Sequence, residues 1–183
     1  MTMDTIKEIL KSFSEKVSSY QIFTFLFPGA VFLALLSHVY SNPVPETNIW
    51  EKLFLCYTVG MIISRIGTLI LEESLFWLGK RFGRFLERID YKNIILAERK
   101  DTKVNMLLQV SNTYRTMAAV FLTLLIVAAV NKCTSLDLQF SCGLIWFSVI
   151  MVILFSLSFI KQYNYVKKRV DFVSSETISN EPE

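Results

Sequence analysis

The chain has 183 residues, of which 52% are hydrophobic, 14% aromatic and only 19% charged. Soluble domains carry about 25% charged residues, so this composition, with its positive mean hydropathy, excludes an ordinary soluble fold and leaves room for one all-α membrane domain. The net charge of +3 singles out no class of partner.

Residues 1–19 come first. Lys7, Lys11 and Lys16 interrupt them, so they lack the apolar core of a signal peptide. Ile6, Ile9, Leu10, Phe13 and Val17 recur at helical spacing, which predicts an amphipathic helix lying on the membrane surface.

Four apolar windows follow: Gln21–Tyr40, Leu53–Leu71, Thr113–Asn131 and Cys142–Ile160. Each reaches the roughly 20 helical residues that a hydrocarbon core about 30 Å thick requires. Backbone groups in lipid must be satisfied internally, so these windows are predicted as transmembrane helices. A soluble bundle would need polar outer faces that the third and fourth windows lack. The chain thus divides into residues 1–19 (interfacial helix), 20–71 (spans one and two), 72–112 (a helical segment outside the membrane), 113–160 (spans three and four) and 161–183 (a basic, then disordered, tail).

In the first span, Pro28 and Gly29 interrupt "FLFPGAVF". Proline removes the bond to the Thr24 carbonyl, which predicts a kink; the alternative start of the helix at Pro28 leaves a short span. His38, the sole histidine, sits near the outer end and has no companion metal ligand.

The second span contains Arg65. On a regular helix Thr58, Thr68 and Glu72 lie within about 60° of it and make a polar stripe. Cys56, Gly60, Ser64 and Gly67 form a second stripe of small residues, suited to close helix packing. A charge inside the membrane costs about 2.5–3.5 kcal/mol on insertion scales and marks a functional candidate. Arg65 is six residues, roughly 9 Å, from the end of its window. Two readings therefore fit: a snorkelling or structural arginine paired with Glu72 or Glu73, or an arginine lining a polar interior.

Residues 72–112 read as a helical hairpin extending the second and third spans. Leu75, Leu78, Phe82, Phe85, Leu86 and Ile89 make one apolar stripe opposite Lys80, Arg81, Arg84, Glu87 and Arg88. Asp90 or Asn93 would interrupt this helix, and Asp101 or Thr102 would cap the next. Asn112, Tyr114 and Arg115 in "SNTYR" would form a polar cluster at the mouth of the third span. Cys133 and Cys142 bracket the connection to the fourth span; a disulfide and a pair of small half-buried hydrophobes both fit.

The basic residues orient the chain. Lys7, Lys11 and Lys16 precede the first span, eight lie between the second and third (Lys80, Arg81, Arg84, Arg88, Lys92, Arg99, Lys100, Lys103), and Lys161, Lys167, Lys168 and Arg169 follow the fourth. The opposite side has only Lys52 and Lys132. The positive-inside rule then places both termini in the cytoplasm of an inner-membrane protein.

Catalysis is not indicated. The sequence has no HExxH, no phosphate-binding glycine loop, no CxxC and no carboxylate in the central part of a span, so no enzyme, metal or cofactor is predicted. A secondary transporter would show more spans and an internal repeat. Four spans with a basic collar fit a homo-oligomer. The collar is explained by the lipid bilayer's anionic headgroups, and nothing at base-reading spacing points to nucleic acid.

The motifs "FPGAVF", "IISRIGTLILEE" and "DTKVNMLLQVSNTYRT" resemble those of small bacterial membrane proteins associated with anti-phage defence, including membrane accessories of CRISPR systems. The resemblance covers about the first two thirds of the chain, at Pro28, Gly29, Ser64, Arg65, Gly67, Glu72, Asp101, Asn112, Tyr114 and Arg115. It implies a defence component whose oligomer alters permeability on a cytoplasmic cue, with the second spans lining the interior. It leaves open a non-conducting scaffold that recruits a cytoplasmic effector or sensor, and a small-solute channel. Some such accessories carry an arginine–histidine nuclease motif; the placement of His38 argues against one here.

Overall fold

The computed structural model describes residues 22–39, 48–82, 86–134 and 138–179. The expected surface helix of residues 1–19 lies outside them. The described residues are helical throughout apart from short connections: α1 (22–39), α2 (Ile49–Arg81), α3 (Tyr91–Lys100), α4 (Thr102–Thr134) and α5 (Cys142–Ser179).

Three of these helices, α2, α4 and α5, are long and apolar enough to cross a membrane. At 1.5 Å per residue the 33 residues of α4 extend about 50 Å, well beyond a core about 30 Å thick. The apolar part of α1, Thr24–Val39, is shorter. Its helix stays continuous across Pro28 by changing its winding: Ile22–Leu26 is π-helical and Phe27–Val39 is α-helical. Pro28, which has no N–H to give to the helical ladder, is the second residue of the α-wound part, next to this change of winding.

α4 is the centre of the bundle. Residues Thr116 to Phe121 are buried in an unbroken run, so this stretch is covered on every side. Phe32 of α1 and Ile63 of α2 pack against Met117, Val120, Phe121 and Leu124. α4 and α5 make the most extensive helix pair, yet only 11% of the apolar stretch of α5 is buried, against 39% for α4. One long face of α5 is therefore open.

The basic end departs from the simple hairpin. α2 stops at Arg81, and Phe82 takes a non-helical conformation (φ −114°, ψ 28°). The stripe predicted from Leu75 to Ile89 is thus divided: Phe82 is exposed, Phe85 lies outside the described residues, and Leu86 folds back over Gly79. Asp90 caps α3 by accepting from Lys92 N at 3.2 Å. Asp101 is extended and accepts from Lys103 N at 2.9 Å, which starts α4. Asn93 lies inside α3. α5 continues to Ser179, past the expected start of the tail at Ser174; residues 180–183 lie outside the described residues. Val166, Val170 and Val173 of α5 pack with Ala97 of α3 and Val104 of α4 into a second small core.

At the opposite end Cys133 and Cys142 are free, exposed thiols, so no disulfide closes the α4–α5 connection. Asn131 closes it instead. Its amide donates to Leu138 O at 2.9 Å, and its Oδ1 accepts from Leu138 N at 3.4 Å. Gln139 N donates to Val39 O at 3.1 Å and ties this connection to the end of α1.

Candidate functional site

The small stripe of α2 serves two neighbours. A Cβ at Gly60 would overlap the backbone carbonyl of Phe25, and one at Gly29 would overlap that of Cys56. Gly29 and Gly60 therefore let α1 and α2 meet backbone to backbone. One turn on, the contact passes to α4. The Ser64 and Thr116 hydroxyls lie 3.4 Å apart in a buried position, and a Cβ at Gly67 would come within 3.1 Å of Ala119 Cβ.

Glu72 leaves the predicted polar stripe, and local winding accounts for it. Gly67–Glu72 is π-helical. A π turn holds more residues than an α turn, so each residue rotates less and Glu72 falls off the line of Arg65. Glu72 turns toward α4 and forms an ion pair with Arg115, with side chains only 19% and 14% exposed. Buried charges need such pairing. Arg115 Nε is buried and makes no hydrogen bond among the described residues. Thr68 donates to Ser64 O at 3.1 Å and Thr58 to Phe54 O at 2.9 Å, so both threonines are satisfied within their own helix.

Arg65 stands apart. Glu72 is taken by Arg115, and Glu73 by Arg88, whose guanidinium also lies 5.0 Å from the Phe76 ring centre. Neither expected partner pairs with Arg65. It is exposed, and no ion pair or hydrogen bond joins it to a described residue. Its neighbours one turn away on α2 are the exposed Met61, Ile62 and Leu69.

The expected cluster at Asn112, Tyr114 and Arg115 divides between neighbours. Arg115 turns to α2. The Tyr114 ring lies 6.4 Å from that of Phe155 on α5. The Asn112 carbonyl accepts from Thr116 Oγ1 at 2.9 Å.

At the basic end the ion pairs are interhelical. Arg169 Nε donates to Asp101 Oδ2 at 2.6 Å, and Lys167 Nζ to Glu87 Oε2 at 2.5 Å. The guanidinium and the Lys103 amide hold the Asp101 carboxyl below its ordinary value. Glu87 raises the Lys167 ammonium above its own. The Tyr163 hydroxyl accepts from Ile89 N at 3.2 Å, and burial pushes that phenol up. The sequence gives no sign of Tyr163, and Arg169 enters there only as one of the orienting cations. The spacing Val166, Val170, Val173 was the available signal of an amphipathic, packed helix.

No protein-family model, curated protein or solved structure matches the chain.

Proposed function

We propose that the chain is a four-span component of the bacterial inner membrane, with both termini cytoplasmic, that assembles with copies of itself and alters permeability on a cytoplasmic cue. The setting, anti-phage defence, is taken from the resemblance in its motifs. The observation that carries the permeability reading is Arg65. An unpaired arginine on an apolar helix face is costly in lipid, and a ring of such helices around water hydrates every copy at once. α1 supplies the fourth span in this account, the interfacial helix precedes it, and α3 and the ends of α4 and α5 receive the cue.

A ring of arginines favours anions. Reconstitution into proteoliposomes, with anion and cation efflux compared for the wild type and Arg65→Ala, tests the proposal. Anion-selective flux that the substitution changes supports it; no flux from correctly inserted protein refutes it. The second reading, a non-conducting scaffold, is favoured by the exposed Leu96 and Met106 beside the ion-paired helices, and it predicts that null result.

A further inference from the structure

α5 carries one continuous face along its length. Taking 100° per residue, Phe147, Ile150, Leu154 and Leu157 lie within about 40° of Lys161, and so do Tyr165 and Lys168 beyond it. The four apolar residues are 45–61% exposed. Where the apolar run ends, the face opens into a groove of about 710 Å³ lined by Tyr114, Ser158, Lys161, Gln162, Tyr165 and Lys168.

The pairing of the cations is selective. Of the four basic residues on this part of α5, Lys167 and Arg169 are committed to Glu87 and Asp101. Lys161 and Lys168 form no ion pair with a described residue, and both line the groove. Two uncommitted ammonium groups and the Tyr165 phenol thus sit at one end of an apolar strip on the same helix face, and the Gln162 amide, about 100° round the helix, lines the groove beside them. That is the order of groups along a phospholipid: phosphate, then glycerol, then acyl chain.

We propose that this groove holds the phosphate headgroup of an anionic glycerophospholipid, with an acyl chain lying along Leu157, Leu154 and Ile150. Lys161 and Lys168 supply the charge, and the Tyr114 and Tyr165 hydroxyls and Gln162 amide supply donors. The site anchors α5, and through it the ion-paired basic end, at a fixed depth in that leaflet. The inference rests on α5 crossing the bilayer and is independent of whether the assembly conducts.

The test uses the full chain in a neutral maltoside detergent, with native mass spectrometry after adding phosphatidylglycerol or phosphatidylcholine of matched acyl chains. Phosphatidylglycerol is expected to be retained in preference. Lys161→Gln/Lys168→Gln is expected to weaken its retention roughly thirtyfold, at about 1 kcal/mol per lysine. Lys92→Gln/Arg99→Gln, which removes the same charge from α3, is expected to leave it unchanged. Equal retention of the two lipids, or of phosphatidylglycerol by wild type and groove variant, overturns the proposal. Displacement by millimolar inorganic phosphate also overturns it, since the groove would then serve a soluble phosphate compound. Membrane fractionation of the same variants separates the premises: a chain absent from membranes refutes the span, whereas lost lipid preference in an inserted chain bears on the groove alone.

Discussion

Arg115 of α4 donates from Nη1 to Oε2 of Glu72 on α2, joining helices across 43 positions of sequence at the point where α2 is π-wound. Breaking a buried pair leaves the surviving charge without a partner, at 3–5 kcal/mol when burial is complete. With 14% and 19% exposure left, Glu72→Ala is expected to cost about 2–3 kcal/mol. Unfolding titrations in mixed micelles measure it. Glu72→Ala/Arg115→Ala should cost less than the sum of its parts, whereas Arg65→Ala should add to Glu72→Ala independently.

Gly60 makes a sharper prediction about α1. Any side chain there meets the Phe25 carbonyl, and backbone cannot move aside cheaply. Gly60→Ala is expected to destabilise by about 2 kcal/mol or more. A Cβ at Gly143 meets nothing within 4 Å, so Gly143→Ala is expected to change stability by less than about 0.5 kcal/mol. The same titration compares the two.

How much of this was legible follows from what each feature depends on. The apolar windows and the small-residue stripe depend on composition and period, and α2, α4, α5 and the Gly60 contact follow from them. The partner of Glu72 depends on a π stretch that has no sequence signature at this level, so a regular wheel placed Glu72 under Arg65. The division of Ser64 and Gly67 from Gly60 depends on which helix lies where, and a wheel does not contain that. Val166, Val170 and Val173 already carried the helical period of the part of α5 that packs beyond the fourth apolar window.

Acid should open the basic end. The folded-state pKa of Asp101 lies below its ordinary 3.8, so its pairing stabilises the cluster at neutral pH. That contribution is lost as pH falls below 3.8 through the folded value. Lys167 is raised above 10.5; its contribution is complete below that value and is lost as pH rises past it. Hydrogen exchange of the α3 amides across pH, corrected for intrinsic rates, is expected to show both losses. Asp101→Asn should remove the acid step and lower protection at pH 7.

Cys133 and Cys142 are expected to react with a membrane-impermeant maleimide without prior reduction, because both thiols are free and exposed. In oriented inverted vesicles the proposed topology predicts protection of both, and in intact spheroplasts labelling of both. The reverse pattern would invert the chain in the membrane. A requirement for reductant would restore the disulfide.

Cryo-EM of the purified particle in lipid nanodiscs tests the central claim, that α2 carries Arg65 toward water shared among copies. The account predicts a closed ring of identical chains whose Arg65 side chains face one axial opening. A monomer, or a compact assembly with Arg65 against lipid and no axial cavity, would contradict it.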